Sequence, residues 1–116
     1  MIGAVSPGRI FLYRGAADMR KGFDGLAGIV RGELEADPMD GTLFVFLNRS
    51  RDMVKALYWD RDGFALWSKR LERGRFTPPQ GDGGAIGRAE LALLLEGVSV
   101  RVVRRSPRWA KSTLNR

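Results

Sequence analysis

The apolar run at the heart of the chain is Thr42-Leu43-Phe44-Val45-Phe46-Leu47, β-branched, aromatic and leucine residues without a charge. A run of this kind without a polar break is the pattern of a strand covered on both faces, and it predicts a central strand. Asn48 to Asp52 is polar and turn-forming, and Met53 to Trp59 has the length and residue types of a second strand, so the two make a β-hairpin. Asp60-Arg61-Asp62-Gly63 is the next turn, its Asp-Gly pair supplying a residue that tolerates positive φ. Beyond it the period changes. Phe64, Trp67 and Leu71 recur at helical spacing and predict an amphipathic helix over Phe64–Arg73, stopped by Gly74. A third strand is the alternative, but at period two Ala65, Trp67, Lys69 and Leu71 would set a charge in the middle of one face, which favours the helix. Arg75 to Pro79 leaves it extended, since proline excludes the helical region for the residue before it.

Upstream, Arg9 to Tyr13 predicts a short first strand broken by Arg14-Gly15. From an Asp18 N-cap, the residues Met19, Phe23, Leu26, Ala27, Val30 and Leu34 fall on one apolar face, a helix over Met19–Leu34 that ends before Pro38. It also contains Gly22, Gly25, Gly28 and Gly32, each costing about 1 kcal/mol relative to alanine in a helix interior. These glycines line up opposite the apolar face, either for close approach of another backbone or as a poorly optimised solvent face. Downstream, Gln80 to Ala85 has the composition of a flexible linker. Arg88 to Glu96 is a short helix ended by Gly97, with Leu91, Leu94 and Leu95 inward, and Val98 to Val102 alternates as a last strand. The fold expected is α+β: one small domain over residues 1–103, an antiparallel sheet built on the central hairpin, with one long amphipathic helix and two shorter ones.

At 116 residues the chain is long enough for one buried core. The absence of histidine and cysteine removes the commonest general base, the thiolate metal site and every serine or cysteine triad in its usual form. No apolar stretch approaches the roughly 20 residues that span a bilayer, so the expectation is a cytoplasmic protein without membrane contact. The net charge is +7, and its location matters more than its size. Residues 1–96 carry 14 Lys+Arg against 13 Asp+Glu, whereas residues 97–116 carry 6 against 0. Residues 104–116, with Arg104, Arg105, Arg108 and Lys111, therefore form a basic tail suited to nucleic acid or another polyanion.

Within the body, Lys69, Arg70, Arg73 and Arg75 crowd around Trp67 and Phe76, and Arg49 and Arg51 sit in the preceding hairpin turn. Cations interleaved with aromatics suit nucleic acid; the alternative is a solvated face over core aromatics. Arg14, Arg20 and Lys21 stand at the start of the long helix, where a bound anion would relieve their conflict with the helix dipole. Scattered surface cations are the plainer explanation. An enzyme of this composition would need carboxylates and a hard metal ion. Asp60 and Asp62 share one turn, but Asp52 lies about 20 Å away at the other end of a strand, by roughly 3.3 Å per residue. No metal site and no cofactor are expected, and Tyr13 and Tyr58, conceivable nucleophiles, sit in strand patterns as packing residues.

Four stretches together resemble a known family: Asp18-Met19-Arg20-Lys21-Gly22-Phe23-Asp24-Gly25-Leu26, Leu43 to Arg49, Leu57-Tyr58-Trp59-Asp60, and Gly63 to Phe76 with its Lys-Arg-Leu-Glu-Arg-Gly-Arg-Phe close. They are similar to the TnpB-type accessory protein, the product of the second open reading frame, of the bacterial insertion sequence 66 family. The resemblance runs from about Ile10 to Val100. It implies a non-catalytic role in DNA transposition beside a separate transposase, with DNA and that transposase as partners. It carries no catalytic residue; Arg20, Lys21, Asn48, Arg49, Lys69, Arg70, Arg73 and Arg75 are the motif positions it implies as contacts. A protein-binding scaffold without DNA contact and a small metal-dependent nuclease are the rival functions.

Overall fold

The run at 43–47 stands in the middle of a five-stranded sheet. The computed structural model describes residues 8–97, whose elements follow in the order β1 (Ile10–Ala16), α1 (Phe23–Gly32), β2 (Leu43–Leu47), β3 (Met53–Asp60), β4 (Gly63–Arg70), β5 (Ala85–Ile86) and α2 (Arg88–Leu95). The spatial order is β4-β3-β2-β1-β5. Strand β2 lacks a polar residue because neither of its faces meets water. Leu43, Val45 and Leu47 pack with Ile10, Leu12, Val54, Ala56 and Phe76 beneath Leu91, Leu94 and Leu95 of α2. Phe44 and Phe46 point the other way and pack with Leu57 beneath Leu26, Ala27, Ile29 and Val30 of α1. One helix thus covers each face, a layering that buries the sheet centre completely.

The sheet is mixed, not antiparallel throughout. Strand β1 runs parallel to β2, with Ile10 against Leu43 and Leu12 against Val45, and α1 is the crossover between them. The β2–β3 and β3–β4 pairs are antiparallel, as is the short β1–β5 pair. The Arg14-Gly15 signal does not end β1; it marks a register shift between Leu12 and Ala16, after which the strand resumes pairing at Leu47.

Three further expectations change. The chain from Gly63 to Arg70 is a strand, not the start of a helix, and it pairs with β3 without interruption from Asp60 opposite Gly63 to Met53 opposite Arg70. Phe64 and Leu66 turn to the α1 face while Trp67 joins the α2 face, so both faces are half-covered and the pattern has no clean period of two. Lys69, the charge that argued against a strand, donates from Nζ to the Leu95 carbonyl at 2.8 Å and closes the C-terminal end of α2, where a cation complements the helix dipole. The described residues accordingly contain two helices, neither of them long.

Helix α1 is also shorter than its apolar pattern. Asp18 does not cap it; the Asp18 carboxylate accepts instead from the backbone and guanidinium of Arg20, and Gly22 stands at the N-cap without a side-chain bond. Gly22, Gly28 and Gly32 face open space, and Gly25 lies under the Lys21 stem. At the β3–β4 turn the left-handed residue is Arg61 (φ 57°), while Gly63 already belongs to β4. The predicted strand over Val98–Val102 and the basic tail lie outside the described residues.

Candidate nucleic-acid interface

Topology decides which loops share an end of the molecule. Strands β1 and β2 are parallel and β3 returns to pair with β4, so the end of β1, the β2–β3 turn and the end of β4 all leave the same edge. The start of α1 is there too, because a crossover helix begins where the first strand stops. Residues scattered over the first three quarters of the sequence are thereby collected: Arg14, Arg20, Lys21, Arg49, Arg51, Arg70, Arg73 and Arg75. The acids at this end are Asp18, Asp52 and Glu72 in the loops, Asp24 in the first turn of α1 and Asp82 beside the Gly83 that Arg14 binds. The opposite end carries Asp37, Asp40, Asp60 and Asp62 beside Arg9, Arg61 and Arg88. The nearly neutral body is therefore polarised, basic at the carboxyl ends of the parallel pair and more acidic at the other.

Each loop is fixed from within. In the β2–β3 turn the Asn48 side-chain carbonyl accepts the N–H groups of Asp52 and Met53, both at 3.1 Å, while its amide donates to Asp52 Oδ1 at 2.7 Å. Ser50 Oγ donates to the same oxygen at 2.9 Å. The Asn48 and Ser50 bonds hold the Asp52 carboxyl below the usual range, and the Arg70 charge acts in the same direction. Asn48 is thus the organiser of the turn, and Arg49 and Arg51 project from it, both exposed. Arg51 has left-handed backbone geometry (φ 60°), unusual for a residue with a long side chain.

The segment after β4 folds back against this turn. The Leu71 N–H donates to the Asp52 carbonyl at 2.8 Å and the Phe76 N–H to the Arg51 carbonyl at 2.6 Å, and Phe76 is buried. Gly74, at φ 76°, makes the intervening bend, and Arg73 and Arg75 flank it on the surface. Aromatic and cationic positions separate as the second of the two readings had it: Phe76 is in the core, Trp67 is partly buried against it, and most of the cations are outside.

A cleft of about 250 Å³ opens outside the carboxyl ends of β1 and β2, lined by Tyr13, Arg14, Arg49, Arg51 and Pro78 among others. A shallower depression beside it runs from Ala16 to Met19 across to Asn48 and Ser50. Ligands of open sheets with parallel strands gather in this position. Arg14 forms one wall through bonds from Nε to the Gly83 carbonyl at 2.9 Å and from Nη1 to the Pro79 carbonyl at 2.7 Å.

The sequence-predicted contacts therefore divide. Arg49, Arg70, Arg73 and Arg75 are exposed on the basic end; Arg20 is there as well, paired to Asp18 at 2.7 Å with its side chain largely in solvent. Lys21 is exposed, and its stem covers Gly25. Arg14, Asn48 and Lys69 hold loops and a helix end together. Arg104, Arg105, Arg108 and Lys111 lie outside the described residues. Arg51, named in the sequence beside Arg49, joins the exposed group, and one residue at this end escaped the reading: Lys55, whose Nζ donates to the Met19 carbonyl at 2.8 Å and the Lys21 carbonyl at 2.9 Å and so ties the α1 approach to β3. A lysine in the middle of an apolar strand was the available signal for it. Among the described residues no group of three or more carboxylates stands where it would hold a metal ion, and no helix is long and apolar enough to cross a membrane.

The family model described as "IS66 Orf2 like protein" matches residues 8–105. The chain is 44% identical over 95 residues to the uncharacterized protein y4hO of Sinorhizobium fredii, an alignment covering 80% of this chain and 83% of that one. It is 38% identical over 109 residues to the uncharacterized protein y4jC of the same organism, covering 92% and 93%. No solved structure matches.

Proposed function

The chain belongs to the IS66 Orf2-like family of insertion-sequence accessory proteins, and from that premise we propose that it serves transposition without catalysis, by seating the basic end of its sheet on the DNA backbone. The observation that carries this reading is convergence. Loops from three separate parts of the sequence bring Arg20, Lys21, Arg49, Arg51, Arg70, Arg73 and Arg75 to one end, where the cations outnumber the acids and Asp18 already pairs with Arg20. Like charges gathered this way repel one another unless a polyanion compensates them. Phosphate recognition needs little else: exposed guanidinium groups on short, internally bonded loops bind without reading sequence. Arg51 supports the same reading, because a cation occupies a left-handed position that glycine would fill without strain.

The test is charge reversal away from the residues that hold the fold. The double variant Arg49→Glu, Arg73→Glu should keep the thermal stability of the parent within about 0.5 kcal/mol, as exposed substitutions do. Its affinity for random-sequence duplex DNA should fall by about tenfold or more, and the slope of log affinity against log salt should flatten by roughly one to two units, about 0.9 per lost phosphate contact. An unchanged slope sinks the proposal. If DNA affinity is unchanged while capture of the transposase encoded by the same element is lost, the basic end is a protein-docking surface.

A further inference from the structure

Strand β4 is an edge of the sheet, and among the described residues nothing pairs with its outer side. Edge strands in soluble proteins are normally short, bulged, interrupted by proline or protected by a central charge. This one has no proline or bulge and keeps its charges, Lys69 and Arg70, at its last two positions. It runs for eight residues in regular register, and its first five, Gly63-Phe64-Ala65-Leu66-Trp67, are uncharged and half-exposed. We propose that β4 pairs antiparallel with β4 of a second copy, joining two sheets into one across a two-fold axis at Leu66.

The hydrogen-bond pattern sets the register. The Leu71 N–H donates to Asp52, one residue beyond the Met53–Arg70 pair, so the odd-numbered residues of β4 direct their backbone groups to β3. Phe64, Leu66 and Ser68 then direct theirs outward. A two-fold axis perpendicular to the sheet passes between a residue and its own copy, so each outward-bonding even-numbered residue meets another even-numbered one in every symmetric register, and the side chains select the centre. Centred on Leu66, the pairing sets Phe64 opposite Ser68, Ala65 opposite Trp67 and Leu66 opposite itself, so each bulky ring meets a small residue. It also sets Asp62, immediately before the strand, opposite Arg70 at its end, and does so twice by symmetry; both residues are exposed. Of the two neighbouring symmetric registers, the one centred on Trp67 would oppose the two indoles and place Asp62 against Glu72, and the one centred on Ala65 would place Arg61 against Lys69. Charge and size both select Leu66.

The experiment contains no DNA: the full chain alone is followed by light scattering and analytical ultracentrifugation across a concentration series. The parent is expected to dimerise. Ser68→Pro removes an outward N–H without touching the bonds to β3, a change an edge strand accepts, and should yield a folded monomer. Asp62→Arg and Arg70→Asp should each weaken the dimer by roughly tenfold, since two attractive cross-strand pairs become repulsive, and the double swap should restore it. The swap series stands even if Ser68→Pro fails to fold. A parent that stays monomeric overturns the proposal, whether hydrogen exchange finds the Phe64, Leu66 and Ser68 amides open or finds them protected by the chain's own residues beyond Gly97. A dimer indifferent to Ser68→Pro and to both single charge changes also overturns it, since its interface would lie elsewhere. Because no nucleic acid enters the measurement, the outcome is separate from that of the DNA-binding test.

Discussion

Arg51 sets a proposed contact residue against its own backbone geometry. Its left-handed geometry costs a residue with a Cβ about 1–2 kcal/mol, a cost glycine escapes while adding some entropy to the unfolded chain. Arg51→Gly should therefore raise unfolding stability by up to about 1 kcal/mol in denaturant titration while weakening DNA binding. A variant less stable than the parent would show that the guanidinium, not the backbone, matters to the fold. Asn48 and Lys69 teach the reverse lesson. Both carry the look of contact residues in the sequence, one beside an arginine and one in a run of cations, yet Asn48 organises a turn and Lys69 closes a helix. A side chain's charge is legible from its letter; whether a carbonyl already claims that charge depends on residues far along the chain.

The same distinction governs the elements. Strand β2, the Met53 strand, the hairpin joining them and helix α2 were all legible, because in each the local pattern and the final packing agree. Strand β4 was not. Its helical spacing of Phe64, Trp67 and Leu71 is produced by a strand half-covered on both faces, and Lys69 is tolerated on the α2 side only because α2 ends there. The parallel β1–β2 pair was equally hidden: a helix between two strands permits a crossover, but adjacency is decided by which strand takes the centre. Lys69→Met tests this account. It keeps the stem and removes the bond to the Leu95 carbonyl, and should cost about 1 kcal/mol in chemical unfolding, within the usual range for a charged helix-end bond. A change below about 0.3 kcal/mol would mean that the α2 end does not rely on it.

At the scale of the molecule, the basic end was only half legible. The sequence displays its cations as three separate groups, near 14–21, 49–51 and 69–75, and nothing in their spacing says that they meet. The sheet makes them one surface and leaves Asp37, Asp40, Asp60 and Asp62 at the other end. That segregation has a kinetic meaning. The described residues of a single copy form an electric dipole lying along the strands, and the field of a polyanion would exert a torque on it before any contact formed, turning the basic end forward during diffusion. Two copies joined antiparallel along β4 would have their dipoles opposed and cancelled, leaving a quadrupole with a basic end at either extremity. Such a pair would have no preferred heading, and on the proposed function it would meet one duplex from either direction, or two duplexes at once.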